Sequence, residues 1–177
     1  LLTQLPLIQR MLTALGVTFI EKPGYEGDDV IGTLASMGDK AGYRTLVLSG
    51  DRDAFQLIND NITVLYPGHH FKDLKHMTPD AVVEKYHVTP EQYPDLAALR
   101  GETADNIPGV PGIGEKTAVR LLTAYGTLEN ALDHADADLK GKQREKLLDG
   151  RMSGLMSKKI ATITRYVPLD DVTLEDC

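Results

Sequence analysis

Residues 100–120 read RGETADNIPGVPGIGEKTAVR, and the second half of this stretch predicts a tight turn that runs directly into a helix. We call residues 107–118 the Gly/Pro hairpin, because glycine and proline alternate there with apolar residues. Closely spaced glycines allow a backbone to approach a partner. The free amides at the start of the following helix, with the positive end of the helix dipole behind them, attract anions. The hairpin therefore fits a phosphate backbone better than it fits a hydrophobic core.

A plain connection between two helices would also use these glycines, for the positive φ angles of a turn. Glu115, Lys116 and Thr117 help to separate the two interpretations, because they occupy the first predicted turn of the helix. Lys116 and Thr117 place a basic side chain and a hydroxyl at the end that faces an anion. The binding interpretation is favoured once the rest of the chain is considered.

The composition predicts an ordinary globular protein, since 42% of the 177 residues are hydrophobic and 25% are charged. The sequence contains no apolar run of membrane-spanning length and no signal peptide, so we expect no membrane partner. Its one cysteine, Cys177, cannot form an internal disulfide. A reducing compartment, the cytoplasm, is therefore expected.

The net charge of −7 counts against a nucleic-acid-binding protein, since such proteins are usually basic. The absence of Trp also argues against a base-stacking platform. The distribution of charge matters more than the total. Acidic residues concentrate at residues 26–29, 51–53 and 102–105, and basic residues at residues 140–146 and at Arg151, Lys158, Lys159 and Arg165. A protein that gathers carboxylates around metal can be acidic overall and still contact phosphates elsewhere.

The first half of the chain predicts an α/β arrangement. A helical spacing of apolar residues ends at Gly16, and residues 17–20 (VTFI) then predict a buried strand. A helix is predicted over residues 26–42 and a second strand over residues 44–49. Strand, helix and strand in this order form a βαβ unit, which implies a parallel sheet with a right-handed crossover. Residues 62–66 predict one more strand.

Beyond this sheet the chain is predicted to become helical. Residues 69–77 are polar and predict an exposed hairpin or loop. Two short helices follow, at Thr78 and Thr89, where threonine serves as the N-cap and proline takes the first helical position. From about Asp80 onward we expect an all-helical half, with no flexible linker between the two halves.

Seven carboxylates are predicted to lie near one edge of the sheet. The carboxyl ends of parallel strands meet at one edge, and binding sites form there. Three carboxylates follow the first predicted strand, two follow the second, and two precede the hairpin: Glu26, Asp28, Asp29, Asp51, Asp53, Glu102 and Asp105. We expect the first five to face a common crevice, to which the last two add.

Each of these carboxylates has a structural alternative. The charges at residues 26–29 would stabilise a helix N-terminus by about 0.3–1 kcal/mol each. Asp51 would serve a turn and Asp53 would cap a helix. The seven together are harder to explain, because like charges about 4 Å apart cost roughly 4 kcal/mol per pair at an effective dielectric of about 20. Divalent cations remove this cost.

Oxygen-only ligands suit Mg²⁺ or Mn²⁺ rather than zinc. The sequence contains no Cys/His cluster, and we expect His69, His70 and His76 to be solvated rather than ligating. Two divalent ions roughly 3.5–4 Å apart catalyse the hydrolysis of phosphodiesters. A carboxylate crevice beside a hairpin that binds a phosphate backbone therefore favours a metal-dependent nuclease.

Three motifs closely resemble the 5′-nuclease domain of bacterial DNA polymerase I, which belongs to the flap endonuclease superfamily. The motifs are YEGDD at 25–29, SGDRD at 49–53, and GETADNIPGV at 101–110 with GIGEKTA at 112–118. Their order and spacing span nearly the whole chain, which makes the resemblance specific. It implies a PIN-like α/β core at residues 1–79 and a helical subdomain with a helix-two-turn-helix motif at residues 80–177.

The resemblance also implies an activity, the cutting of 5′ flaps and nicked duplex with two divalent ions, Mg²⁺ or Mn²⁺. Matched by motif position, the catalytic carboxylates are Glu26, Asp28, Asp51, Asp53 and Asp105. Glu26 and Asp28 would hold the first ion, with Asp29 a ligand or a supporting residue, and the other three would surround the second. Glu102 stands where the family more usually has aspartate, so its longer side chain would bind an ion through a water.

The hairpin matches the segment with which members of the family bind the backbone of a DNA duplex. The resemblance implies DNA contacts at Gly109, Val110, Gly112, Ile113, Gly114, Lys116 and Thr117. Carbonyl oxygens of this hairpin often also hold K⁺ in the family, which makes K⁺ a candidate third ion. The implied partner is flap, nicked or double-stranded DNA in the cytoplasm of a bacterium, at the nucleoid. A C-terminal polymerase domain in the parent chain is an option that the resemblance allows.

One departure from the family lies at the start of the sequence. Family members begin with a strand that carries an early catalytic aspartate, then a helical arch with basic residues, and then another strand aspartate. Leu1 already lies in the helix that precedes the first predicted strand. We therefore expect a sheet that is incomplete on its N-terminal side, and a fragment that is inactive or impaired by itself.

Two other classes of protein compete with the nuclease interpretation. A non-catalytic duplex-binding module would explain the hairpin and the basic residues at 140–146 equally well, but it leaves the seven carboxylates without a role. An acidic fold that only binds calcium would need a loop with EF-hand spacing, which the sequence lacks.

Overall fold

A three-stranded sheet forms the first half of the protein in the computed structural model, which describes residues 2–68, 73–170 and 172–176. The strands are β1 (Thr45–Leu48), β2 (Ile62–Pro67) and β3 (Leu74–Met77), in the order β1-β2-β3. β1 pairs with β2 in parallel, whereas β3 pairs with β2 antiparallel. The α/β class is confirmed, although the predicted parallel sheet is a mixed one.

Eight α-helices accompany the sheet within the described part of the chain. They are α1 (Leu5–Ala14), α2 (Gly27–Lys40), α3 (Pro79–Tyr86), α4 (Tyr93–Arg100), α5 (Glu115–Tyr125), α6 (Leu128–Asp138), α7 (Gly141–Asp149) and α8 (Arg151–Ala161). Four short 3-10 turns lie at Leu2–Gln4, Asp53–Leu57, Pro90–Gln92 and Leu174–Asp176. None of the described helices is long and apolar enough to cross a bilayer.

The caps predicted before α3 and α4 are confirmed. Thr78 is the N-cap of α3, where its side chain accepts a hydrogen bond from the Ala81 amide. Thr89 begins the 3-10 turn before α4 in a reciprocal capping box with Gln92. Proline follows each threonine, because its missing N–H would lack a helical partner at this position in any case.

The predicted strand at residues 17–20 is wrong, and with it the βαβ unit. The segment forms no strand, and Val17 and Phe19 remain 49% and 44% exposed. A strand requires a hydrogen-bonding neighbour, and the sheet order places no described strand beside the free edge of β1. Leu46 and Leu48 on β1 are likewise exposed.

Two further expectations change in detail. Part of the polar segment predicted as a hairpin or loop is β3, the antiparallel partner of β2, while His69 and His70 lie outside the described residues. The short helix predicted after Asp53 is a 3-10 turn. In the helical half, Gly150 lies between the end of α7 and the start of α8, and a Cβ atom there would lie 2.7 Å from Cγ1 of Val110. The junction between α7 and α8 therefore packs closely against the hairpin.

One continuous hydrophobic core extends from the sheet into the helical half. Phe55 is fully buried at its centre and contacts Tyr66, Tyr86 and Tyr93, with ring centroids 5.4, 5.7 and 5.5 Å away. Edge-on and tilted aromatic contacts of this kind add to the free energy of burial. The 3-10 turn that carries Phe55 is thereby held against α3 and α4. A division of the chain near Asp80 stays a prediction.

Candidate metal and nucleic-acid site

Five carboxylates from three segments act on one another electrostatically, and we call them the acidic cluster: Asp28, Asp51, Asp53, Glu102 and Asp105. Burial, followed by the charges of Asp51, Asp105, Glu102 and Asp28, raises the pKa of Asp53 to about 7. Burial and then the Asp51 charge raise the pKa of Asp28. The fold thus brings carboxylates from three segments close enough together to raise the pKa values of Asp28 and Asp53, and the charges of Glu26 and Asp29 also contribute at Asp28.

The turn after β1 positions two members of this cluster. The Ser49 hydroxyl accepts a hydrogen bond from the Asp51 amide at 3.0 Å, and Oδ1 of Asp51 accepts one from the Asp53 amide at 2.9 Å. Asp53 then begins the buried 3-10 turn Asp53–Leu57. Turn chemistry and helix initiation, the structural alternatives for these two residues, are both present. Asp53 is nevertheless close enough to the other four carboxylates for their charges to raise its pKa.

Asp29 has two structural partners. Its Oδ1 accepts a hydrogen bond from the Thr164 amide at 2.8 Å, and its Oδ2 accepts one from the Glu26 amide at 3.3 Å. Each oxygen is therefore engaged by the backbone, one at the start of α2 and one in the segment after α8. These contacts favour a supporting role for Asp29 over direct ligation, and Glu26 remains exposed at the N-cap.

Glu102 is paired with Arg100, a residue that the sequence analysis did not single out. The Arg100 Nη2 atom lies 2.6 Å from Oε2 of Glu102, and Nη1 lies 2.9 Å from Oε2 of Glu115. The Arg100 side chain is only 11% exposed. A basic residue in the last turn of α4, two positions before Glu102, was the available sequence signal. A water-mediated role for Glu102 would have to coexist with this ion pair.

Among the described residues, no group of three or more His, Cys, Asp or Glu side chains is arranged to hold a metal ion. The acidic cluster is therefore close enough to shift pKa values without forming a complete coordination shell. Asp105 is exposed, and Asp53 is half-buried. The donor atoms are all carboxylate oxygens, which are the ligands that Mg²⁺ and Mn²⁺ prefer.

The Gly/Pro hairpin is clamped by α8. The Gly109 amide donates to Oγ of Ser157 at 3.0 Å, and the Gly109 carbonyl accepts from Oγ of Ser153 at 2.6 Å. Gly109 has φ +66°, and a Cβ atom there would lie 2.3 Å from the Gly101 nitrogen. Neither serine carries a specific signal in the sequence, because serines four residues apart on a helix are common.

The predicted DNA-contacting residues fall into two groups. Val110 and Ile113 are 2% and 4% exposed, so both residues belong to the core. The Val110 amide donates to the Leu99 carbonyl, and the Val110 carbonyl accepts from the Ile113 amide, which leaves little of either residue for a partner. Gly112, Gly114 and Lys116 are exposed at the start of α5, while Gly109 is buried and Thr117 half-buried. The exposed group surrounds the free amides of the helix start, where anion binding is favourable.

Three of the eight basic residues that the sequence sets apart are paired with acidic side chains. Arg144 forms an ion pair with Asp136, and Arg151 pairs with Asp133 at 2.6 Å. Lys158 lies 2.7 Å from Asp95 and 2.6 Å from Glu129. Their charges serve the packing of α6 to α8 more than they form an open basic surface.

With this geometry in place, comparisons with known families define the class of protein. Residues 1–87 match the family described as "5'-3' exonuclease, N-terminal resolvase-like domain", and residues 88–177 match "5'-3' exonuclease, C-terminal SAM fold". The chain belongs to the 5′–3′ exonuclease family.

The relatives narrow this class. The chain is 47% identical to DNA polymerase I of Mycobacterium bovis over 166 residues, which cover 94% of this chain and 18% of that protein. It is also 47% identical to DNA polymerase I of Bacillus caldotenax over 174 residues, covering 98% and 20%. The chain thus spans about a fifth of the length of these relatives.

Solved structures share the fold. The T5 5′-exonuclease, in a structure with bound divalent zinc ions, has a TM-score of 0.72 at 22% identity, covering 83% of this chain and 53% of that one. The catalytic core of Rad2 has a TM-score of 0.61 at 16% identity, covering 100% and 62%. The resemblance inferred from the three motifs is confirmed at the level of family and fold.

Proposed function

We propose that this chain is part of a structure-specific 5′-nuclease that hydrolyses phosphodiesters of 5′-ended strands in flap, nicked or double-stranded DNA. The observation that carries this proposal is the acidic cluster, whose charges and partial burial raise the pKa of Asp53 to about 7. The acidic cluster and the Gly/Pro hairpin are both attached to the same hydrophobic core. Membership in the 5′–3′ exonuclease family and the identity to bacterial DNA polymerase I support it.

The proposed cofactors are two divalent ions, Mg²⁺ or Mn²⁺. Mg²⁺ in phosphoryl-transfer sites is usually held by one or two carboxylates, waters and substrate phosphates rather than by a complete protein cage. The acidic cluster likewise offers only part of a coordination shell, since its carboxylates are near one another but, among the described residues, do not form a closed shell. Two such ions, when bound, activate a water and stabilise the attacking and leaving oxygens of an in-line displacement.

The residues of this chain would divide that work between binding and orientation. Glu26 and Asp28 are the proposed ligands of one ion, and Asp51, Asp53 and Asp105 those of the other. Because Oδ1 of Asp51 accepts the Asp53 amide, Oδ2 is the oxygen proposed to face an ion. The raised pKa of Asp53 means that this carboxyl must release its proton before it can bind an ion.

The hairpin supplies the DNA-binding half of the proposal. The exposed backbone at Gly112 and Gly114 would approach a phosphate, with Lys116 adding a positive charge on the first turn of α5. The hairpin carbonyls are the oxygens to which the resemblance assigns K⁺. A polymerase domain in the same chain, and a site of action at the bacterial nucleoid, remain parts of the proposal.

The test combines calorimetric titration of Mn²⁺ with a cleavage assay on a labelled 5′-flap duplex. Asp51→Asn and Asp105→Asn are compared with Asp60→Asn, an exposed aspartate outside the acidic cluster. Cleavage is measured in the full-length parent, and ion binding in this chain. We expect the first two variants to lose Mn²⁺ affinity and cleavage, and the control to retain both.

Unchanged cleavage by the parent carrying Asp51→Asn and Asp105→Asn would overturn the metal assignment. Duplex binding without any Mn²⁺ binding would favour the non-catalytic module instead. Mn²⁺ binding without cleavage by this chain alone would mean that the visible carboxylates form an ion site whose chemistry needs further residues of the parent.

A further inference from the structure

The Gly/Pro hairpin has an ammonium group of its own chain lying against it. Nζ of Lys146, on α7, donates a hydrogen bond to the Gly112 carbonyl at 2.8 Å. The rest of this side chain lies over the same residue, because a Cβ atom on Gly112 would be 2.7 Å from both Cε and Nζ of Lys146. The Lys146 side chain thus lies against an exposed residue of the hairpin and bonds to its carbonyl.

Other hairpin carbonyls are also engaged by protein donors. The Gly109 carbonyl accepts from Ser153, and the Val110 carbonyl accepts from the Ile113 amide at 3.0 Å. The Gly114 carbonyl accepts from two amides at the start of α5. A carbonyl has two lone pairs, so these bonds alone do not exclude a cation. The charge of Lys146 does oppose the binding of a cation, because a cation bound to the Gly112 carbonyl oxygen would lie beside the positively charged ammonium group.

Close packing holds Lys146 in this place. Its neighbour Leu147 is fully buried, which fixes the rotation of α7 about its axis. The Gly150 amide donates to the Lys146 carbonyl at 2.9 Å, and a Cβ atom on Gly150 would meet Val110 at 2.7 Å. The C-terminal end of α7 therefore packs directly against the hairpin. Lys142, one turn earlier, is exposed and makes no hydrogen bond or ion pair within the described residues.

We propose that Lys146 is a positioning residue that takes the place of a bound monovalent cation at the hairpin, so that duplex binding does not require K⁺. The inference rests on the proposed function, because it assumes that the hairpin binds DNA. The hydrogen bond from Lys146 holds the Gly112 carbonyl in its turn conformation. The ammonium charge of Lys146 also makes the electrostatic potential positive beside the exposed amides at the start of α5. The donor set around this carbonyl does not fit K⁺ while the ammonium is present.

The first test measures duplex binding by fluorescence anisotropy, at one ionic strength, in K⁺, Na⁺ or choline salts. Lys146→Met is compared with Lys142→Met, which removes the same charge from the same helix. We expect the wild type to bind equally in all three salts. The Lys142→Met variant should bind the duplex about twofold more weakly in every salt, because it loses a single weak contact with a phosphate.

Lys146→Met should lose about tenfold in choline, since a hydrogen bond from a charged group is removed, and K⁺ should restore part of the loss. Lys146→Arg, which keeps the charge, should bind more tightly than Lys146→Met. Wild-type binding that falls about tenfold when choline replaces K⁺ would overturn the proposal, as would identical behaviour of the two methionine variants.

The second test needs no DNA and separates this inference from the proposed function. Melting temperature is measured in K⁺ and in choline salts for the same variants. We expect K⁺ to raise the melting temperature of Lys146→Met alone, because only that variant exposes the Gly112 carbonyl to an ion. A K⁺-dependent rise in the wild type would overturn the inference. Absence of duplex binding in every variant, with this melting pattern intact, would instead overturn the DNA-binding proposal.

Discussion

The guanidinium of Arg100 lies 2.6 Å from the carboxylate of Glu102, a member of the acidic cluster. The same guanidinium reaches Glu115, the first residue of α5, at 2.9 Å. One nearly buried cation therefore neutralises a carboxylate on each side of the site. Movement of Glu102 away from Arg100 would loosen a cluster of charges that also holds the start of α5.

Arg100→Gln should lower the free energy of unfolding by about 2 kcal/mol, because it leaves Glu102 without its partner in a partly buried place. Urea denaturation measures this change. Arg144→Gln is the matched control, since its ion pair with Asp136 is well exposed, and it should cost less than about 1 kcal/mol. An equal decrease in the free energy of unfolding in the two variants would show that the ion pair of Arg100 stabilises the protein no more than an exposed ion pair does.

Gly109→Ala should destabilise the protein far more than Gly126→Ala. Both glycines have positive φ, +66° and +80°. A Cβ atom at Gly109 would lie 2.3 Å from backbone nitrogen of Gly101, whereas a Cβ atom at Gly126 meets nothing within 4 Å. Backbone strain alone costs about 1–2 kcal/mol, and steric overlap adds about 1–3 kcal/mol more. Similar unfolding midpoints for the two variants would contradict the close approach.

Ser157→Ala should weaken the hold of α8 on the hairpin. The hydroxyl is fully buried and accepts the Gly109 amide, so its loss leaves a buried donor without a partner, at a cost of about 1–3 kcal/mol. Ser36→Ala is the control, because its hydroxyl only adds a bond to a helical carbonyl at Gly32. Denaturation and duplex binding should both respond to the first change and neither to the second.

Asp53→Asn should alter how stability depends on pH in metal-free buffer. The pKa of Asp53 in the fold is about 7, above its ordinary value of 3.8, so the folded state holds its proton more tightly than the unfolded state. The stabilising contribution is complete below about pH 4 and disappears as the pH rises through about 7. The neutral variant avoids the cost of the buried charge at higher pH.

At pH 8 the Asp53→Asn variant should be more stable than the wild type by about 2 kcal/mol, a value reduced to allow for solvent screening. The difference should shrink as the pH is lowered toward 4. Urea titrations in EDTA at several pH values between these limits measure it. A constant difference at all pH values would show that Asp53 does not titrate in this range.

Local sequence patterns determined much of this protein. The N-caps at Thr78 and Thr89, the turn after β1 and the passage from Gly/Pro hairpin to α5 were all predictable, because each depends on residues only a few positions apart. The two carboxylates after β1 were predictable in the same way, whereas the strand that was expected to place Asp28 beside them did not form. The three motifs also sufficed to identify the family.

Tertiary structure alone decided which polar and charged groups are bonded to other parts of the protein. The pairing of Lys146 with Gly112 and the clamp of Ser157 on Gly109 join positions 34 and 48 residues apart, and no local pattern encodes such contacts. The failed strand at residues 17–20 has the same cause, because strand formation depends on a neighbour in space and not on β propensity alone. Sequence determined which chemical groups are present, and packing determined which of them are already bonded within the protein.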